Sequence, residues 1–193
     1  EAFQVSTAGT YYAVQMAKVR KEKRLTTVPH IDGLPVNTFW DIGRGDGTAI
    51  WLHQRVGMRD HFIKFIEGWG EPYAYFVREM QKTGWIWGNH YLPHDGAHVR
   101  QSEDYDTQIA PEKMLENLGL RNIVIVPKVD ELQHGISAVR DKFAGCWFDE
   151  KGCKEGIAHL EGYKKQWNEK LQCWSDQPLK DIHTEAADAF RQF

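Results

Sequence analysis

Apolar residues along the chain fall into short runs that predict β-strands. The first run, 36–40, is rich in β-branched and aromatic residues, and two similar runs follow at 48–56 and 62–69. Such residues are enriched in strands because their side chains pack well on a pleated, half-buried surface. The links between the three runs are short, so we predict an antiparallel meander of three consecutive strands.

A helix and a fourth strand follow the meander. Apolar residues recur at three- and four-residue spacing from Tyr73 to Met80, which predicts an amphipathic helix, and the run 85–92 then predicts a strand. Because a strand–helix–strand crossover joins parallel strands, the fourth strand should lie parallel to the first. The remaining predicted elements are a helix at 111–118, a strand at 122–126, and helices at 131–143, 154–169 and 183–193. The pattern predicts an α/β fold with a mixed five-stranded sheet, three strands antiparallel and the others parallel, flanked by helices.

The first 35 residues differ from the rest of the chain. Residues 13–23 have helical spacing, and 27–37 contain two prolines and a glycine, which indicates a connector. The chain begins without an initiator methionine, and we interpret it as a fragment of a longer polypeptide. We therefore predict a helix and linker at 1–35 and a globular domain at 36–193.

Composition narrows the class of protein. The chain has 193 residues, of which 41% are hydrophobic and 26% charged, enough for one domain with a core. No apolar run approaches the roughly 20 residues that span a bilayer, and no signal peptide begins the chain, so we expect a soluble intracellular protein. The net charge of −3 means that a nucleic acid would have to be met by local basic clusters or through bound metal.

The cysteines do not indicate a structural role. Three irregularly spaced cysteines form no disulfide framework. A zinc site made from Cys146, Cys153 and His159 is disfavoured, because six residues separate the two cysteines and zinc hooks have shorter spacings.

A glycine-rich turn after the first strand carries the first candidate site. Asp41 ends the strand, glycines follow at 43, 45 and 47, and Asp46 lies across the turn. Carboxylates at such a turn suit a hard divalent cation, which prefers oxygen ligands. The same residues also suit an ordinary hairpin turn, in which aspartate and glycine serve only their turn propensity.

The order of elements is the one expected of the ribonuclease H-like fold, in which the first and fourth strands are neighbours. Asp41 leaves the first strand and Asp95 the fourth, so the two carboxylates should converge. Asp188 and Glu185 are three residues apart and share one face of the last helix, where small alanines would let that helix approach the sheet closely. Clustered carboxylates repel one another, and bound cations explain how they can coexist. Two Mg²⁺ or Mn²⁺ ions would activate a water for phosphodiester hydrolysis.

Three motifs together resemble the C-terminal nuclease domain of the large terminase subunit of tailed bacteriophages. They are DIGRGDGTAIW at 41–51, HYLPHD at 90–95 and AADAFR at 186–191. The resemblance implies that Asp41, Asp95 and Asp188 are the catalytic carboxylates that bind two Mg²⁺ or Mn²⁺ ions, with Asp46 auxiliary. Many family members have a histidine where this chain has Glu185, which leaves open whether Glu185 binds metal.

The resemblance also implies partners and a setting. It implies a DNA-packaging motor in which 1–35 would follow an upstream ATPase domain and the nuclease would cut concatemeric double-stranded DNA. The portal protein and the small terminase subunit would be partners, in the cytoplasm of an infected bacterium, and the isolated domain is expected to be monomeric. The residues that could contact DNA phosphates are Arg44, His94, His98 and Arg100. For His94, shaping the turn is the alternative role.

Two other functions stay open from the sequence. An actin-like or sugar-kinase ATP-binding domain also uses an aspartate and a glycine-rich hairpin, but it needs a second phosphate loop and an adenosine-binding glycine motif, for which the chain has no room. A non-catalytic docking module of the packaging motor would be favoured if Asp95 and Asp188 proved distant from Asp41.

Overall fold

A meander of three antiparallel strands forms the middle of the structure. The computed structural model describes residues 8–43, 47–97, 109–129 and 131–193. The meander strands are β2 (Val36–Ile42), β3 (Gly47–Val56) and β4 (Arg59–Trp69). In their register Trp40 pairs with Ile50, and Ile50 with Ile66. Strand β3 is buried along its first eight residues, because both faces of the sheet are covered. The predicted meander is confirmed.

The crossover after the meander adds parallel strands beside β2. Helix α2 (Tyr73–Gln81) leads to β5 (Trp87–Leu92), which pairs in parallel with β2. Helix α3 (Pro111–Asn117) then leads to β6 (Ile123–Ile125), which pairs in parallel with β5. The prediction that the fourth strand of the sequence lies parallel to the first is confirmed, and the ends of these two strands share one edge of the sheet.

The prediction of a five-stranded sheet is wrong in number, because the described residues form a seven-stranded sheet in the order β1-β7-β4-β3-β2-β5-β6. After helix α4 (Leu132–Lys142) and a short 3₁₀ turn, β7 (Cys146–Asp149) adds in parallel to β4, and β1 (Leu25–Thr26) adds in parallel to β7. Arg24, which precedes β1, links it to the start of β7 by donating hydrogen bonds to the carbonyl of Phe143, at 2.8 Å, and to the carbonyl of Cys146. Strands of two and four residues are too short to show a periodic pattern.

The predicted helix at 154–169 is also wrong in its second half. Helix α5 (Lys154–Gly162) ends where Tyr163 turns extended, and the chain then forms a hairpin of β8 (Lys165–Asn168) and β9 (Cys173–Pro178). Tyr163 is fully buried, its ring lies 4.9 Å from that of Tyr11, and its carbonyl accepts a hydrogen bond from the Tyr11 N–H at 3.0 Å. These tertiary contacts override the helical propensity of the segment. The last helix is α6 (Thr184–Phe190).

Hydrophobic residues cover both faces of the sheet. On one face Trp51 and Phe62 pack with residues of α4, α5 and α6, and on the other Trp40 packs with residues of α2 and α3. Helix α1 (Ala13–Lys21) joins the first cluster through Met16 and Val19. The division of the chain at residue 35 stays a prediction. Among the described residues, no helix has the length and apolar character needed to cross a bilayer.

Candidate functional site

Asp41 lies near the end of β2, on the face of the sheet that carries α6. In the register Asp41 pairs with Ala49 of β3, and Ala49 pairs with Glu67 of β4. Residues paired across adjacent strands point to the same face, so the small Ala49 leaves room above the sheet beside Asp41. The chain reverses just beyond Asp41, where the Gly43 N–H donates to the Gly47 carbonyl at 3.2 Å.

Helix α6 occupies the space above Ala49. The indole N–H of Trp51 donates to the Ala186 carbonyl at 2.9 Å, and Ala186, Ala187 and Ala189 are buried. As predicted, small residues let this helix approach the sheet closely. The docked helix carries Glu185 and Asp188 on the side that faces the end of β2.

Asp41, Glu185 and Asp188 line one open groove of about 640 Å³. The other described residues that line it are Gly43, Trp69, Lys180, Asp181, Ile182 and Thr184. Carboxylates from β2 and from the last helix, which are far apart in the sequence, therefore meet in one place.

The charges in the groove act strongly on one another. The pKa of Asp41 is raised well above its usual value, first by burial and then by the negative charges of Asp188 and Glu185, while Arg191 opposes the rise. Burial also raises the pKa of Asp188, again with a contribution from Glu185. Arg191 limits that rise through an ion pair with Asp188, with 2.8 Å between the guanidinium nitrogen and the carboxylate oxygen. A group of carboxylates with raised pKa values favours the approach of a cation or a proton.

Asp95 lies at the neighbouring strand end. It is in the 3₁₀ turn His94–Ala97 that follows β5, and its negative charge is one of those that raise the pKa of Asp41. Asp95 is not among the described residues that line the groove. His94 instead lines a separate cavity, together with Lys128, Arg191 and Gln192.

The donor set of the groove suits a hard divalent cation, because Mg²⁺ and Mn²⁺ prefer carboxylate oxygens. Burial is the main cause that raises the pKa of Asp41 and of Asp188, and a bound cation would stabilise the ionised form of both. Among the residues that the structure describes, however, no three His, Cys, Asp or Glu side chains are positioned to bind one metal ion. The carboxylates of the groove therefore have the right chemistry for Mg²⁺ or Mn²⁺. The described residues alone do not have the arrangement that would coordinate the ion.

Four of the predicted site residues lie outside the described residues. Arg44 and Asp46 fall in 44–46, and His98 and Arg100 fall in 98–108. Their predicted roles in metal and phosphate binding stay predictions.

Cys146, Cys153 and His159 make separate contacts instead of forming a zinc site. The Cys146 thiol donates to the Lys142 carbonyl at 3.4 Å, and the Cys153 thiol to the Phe62 carbonyl at 3.3 Å. Burial raises the pKa of both thiols, which keeps them protonated.

A partly buried chain of polar groups fixes the start of α6. His159 of α5 hydrogen-bonds through Nε2 to the Glu67 carboxylate at 2.9 Å, and its Nδ1 lies 2.9 Å from Nδ1 of His183. One of these two Nδ1 atoms must carry the proton and the other must accept it. The backbone N–H of His183 donates to the Asp181 carboxylate at 2.9 Å. The chain links β4, α5 and the segment that leads into α6.

Sequence reasoning missed Arg191, Lys180 and Trp69 as residues of the site. Arg191 is three residues after Asp188, so helical spacing alone could have indicated their ion pair. Lys180 and Trp69 carry no such signal, because the fold alone brings them to the groove.

Comparisons with known proteins place the chain structurally. No protein-family model and no curated protein matches the sequence. A large terminase from a thermophilic bacteriophage, in complex with ADP, superposes with a TM-score of 0.63 at 18% identity, over 88% of this chain and 40% of that one. The P22 large terminase nuclease domain superposes with a TM-score of 0.61 at 13% identity, over 89% of this chain and 86% of that one.

The large terminase nuclease of the thermophilic phage G20c with bound magnesium gives a TM-score of 0.60 at 10% identity, over 95% of both chains. The chain thus spans about 40% of the length of the ADP-bound terminase that it matches. The described structure has the α/β fold of large terminase nuclease domains, and the predicted ribonuclease H-like fold class is confirmed.

Proposed function

We propose that this chain is the metal-dependent endonuclease domain of a viral DNA-packaging terminase and hydrolyses phosphodiester bonds of double-stranded DNA. The observation that carries the proposal is the convergence of Asp41, Glu185 and Asp188 in one groove, where burial and mutual repulsion raise the pKa of Asp41. The fold, which large terminase nucleases share, supports the same interpretation, and one of those structures holds magnesium.

The residues of this chain have distinct roles in the proposed reaction. When bound, two Mg²⁺ or Mn²⁺ ions would supply an activated water and stabilise the leaving oxygen. Asp41, Asp95 and Asp188 would hold these ions, with Asp46 and Glu185 as further ligands. Arg191 would orient the Asp188 carboxylate through their ion pair and favour its ionised form.

The rest of the packaging motor belongs to the same proposal. Because the chain spans about 40% of the ADP-bound terminase, we propose that residues 1–35 connect to an upstream ATPase domain. The substrate would be concatemeric DNA, and the portal protein and small terminase subunit would be partners in the cytoplasm of an infected bacterium. The isolated domain is proposed to be a monomer.

Cleavage of supercoiled plasmid tests the proposal. We expect nicking and linearisation with Mn²⁺ or Mg²⁺ and none with EDTA. Asp41→Ala and Asp188→Ala should each reduce the rate at least about 100-fold, since the loss of an outer-shell partner alone costs up to that much. Asp141→Ala is the control, because Asp141 is an exposed carboxylate on α4, outside the groove. Full activity in the two groove variants, or no cleavage by the unaltered chain with any of these cations, would refute the proposal.

A further inference from the structure

Trp69 is a large apolar side chain exposed in the groove that holds the carboxylates. It is the last residue of β4, its relative exposure is 51%, and it lines the same groove as Asp41 and Asp188. Ile182, with 63% exposure, lines the groove as well. Exposed apolar side chains gathered in one groove, beside polar groups, indicate a surface that another molecule covers.

The indole of Trp69 packs against the backbone of the neighbouring strand. Trp69 pairs with Gly47 in the β3–β4 register, and a Cβ atom added to Gly47 would lie only 2.8 Å from Nε1 of Trp69 and 3.0 Å from Cε2. The glycine therefore lets the ring lie directly against the β3 backbone. A ring that is already seated loses little rotamer freedom when it binds a ligand, which favours a role in recognition.

We propose that Trp69 is a DNA-contacting residue, whose indole packs against a base or sugar of the strand that enters the groove. This inference rests on the proposed nuclease function and adds to it a non-electrostatic contact with the substrate. The carboxylates of the groove repel a phosphate backbone unless cations intervene, and Lys180 is the one basic residue among the described residues that line it. An indole can pack against a deoxyribose, or against the π face of a base where the strand is unpaired, without depending on charge.

Equilibrium binding of a short labelled duplex, followed by fluorescence anisotropy, tests the proposal. Ca²⁺ replaces Mg²⁺ so that the carboxylates can bind a cation while the duplex stays intact. The variants are Trp69→Ala and Trp69→Phe, and the matched control is Ile86→Ala. Ile86 is 59% exposed and precedes β5, at the strand end opposite the carboxylates. Thermal melting of each variant checks that the fold is kept.

The expected result is a roughly 10-fold weaker binding by Trp69→Ala, with most of the affinity kept by Trp69→Phe and all of it by Ile86→Ala. The slope of log K against log salt should stay unchanged in Trp69→Ala, whereas Lys180→Met should reduce it by about one. In cleavage with Mg²⁺, Trp69→Ala should raise KM and leave kcat nearly unchanged.

Other outcomes overturn the proposal. If the unaltered chain cuts DNA and Trp69→Ala binds the duplex as tightly as the unaltered chain does, the inference fails and the proposed function still holds. An equal loss in Ile86→Ala also overturns it. If the unaltered chain neither binds nor cuts the duplex with any of these cations, the proposed function fails and the inference fails with it.

Discussion

Replacing Asp41 by asparagine should stabilise the metal-free protein while it removes the proposed activity. Asp41 is half-buried beside the negative charges of Asp188 and Glu185, and Arg191 offsets only part of them. One net like-charge interaction at an effective dielectric constant of about 20 costs about 2–4 kcal/mol at separations of roughly 4–8 Å. Because the groove is open to water we take the lower value, about 2 kcal/mol. In a chain of this length that gain raises Tm by about 4–8 °C.

The pH dependence of this gain has a definite sign. The pKa of Asp41 is raised in the folded protein, so the folded state binds the proton more tightly than the unfolded state does. The resulting stabilisation is complete below the unfolded pKa of about 3.9 and is lost as pH rises through the folded pKa. Asparagine carries no charge at any pH. The advantage of Asp41→Asn should therefore be small below about pH 3.9 and largest at neutral pH.

Urea unfolding in EDTA, at acidic and at neutral pH, measures this difference. Asp141→Asn is the control, since it neutralises an exposed carboxylate and should change the free energy of unfolding by less than about 0.5 kcal/mol. Mg²⁺ at 100 times its Kd should stabilise the unaltered chain by about 2.7 kcal/mol and the Asp41→Asn variant by less. A loss of stability in Asp41→Asn at neutral pH in EDTA, or the same gain at both pH values, would refute the argument from repulsion.

Two further predictions follow from single contacts. Arg191→Met removes the positive charge that lowers the pKa of Asp188, so the acidic limb of the pH–rate profile should move to higher pH. Arg191→Lys keeps the charge and should return the limb most of the way to its original position. A profile that does not move in Arg191→Met would contradict the role of the ion pair. Gly156→Ala places a methyl group 2.5 Å from the fully buried Trp51 ring, and the overpacking cost of about 1–3 kcal/mol should outweigh the roughly 1 kcal/mol gain in helix propensity. Gly135→Ala, whose added methyl meets only ordinary contact at 3.9 Å, should raise Tm instead, and a drop in both variants would contradict the packing argument.

The parts of the fold that the sequence predicts correctly are those in which one physical signal is strong. Strands β2 to β4 are long apolar runs separated by short links, and their meander follows directly. The crossover rule makes β5 parallel to β2, and the ribonuclease H-like order of elements predicts that the two strands are neighbours, which brings Asp95 to the edge of the sheet that carries Asp41. Alanines around Asp188 predict a helix that can lie close to the sheet, as it does.

The missed features depend on contacts between distant segments. Strand β7 has four residues and gains its place from pairing with β4, which no local pattern reveals. The segment 163–169 contains good helix formers, among them two lysines and a glutamine, yet the buried Tyr163 packs against Tyr11 and the chain forms a hairpin instead. The exposure of Trp69 likewise follows from its place at the end of β4, which no local pattern reveals.

The attachment of α6 has a consequence for when the chain can act. This helix is fixed to the sheet by the hydrogen bond from Trp51 to Ala186 and by the chain from His183 through His159 to Glu67. These contacts join segments that are far apart in sequence. Closing the long stretch of chain between two such segments costs conformational entropy, which slows the formation of the contact. We therefore expect Asp188 to reach Asp41 only after the strands that carry Trp51 and Glu67 have paired. An incompletely folded chain lacks the carboxylate cluster, so the capacity to cut DNA would arise only with the finished fold.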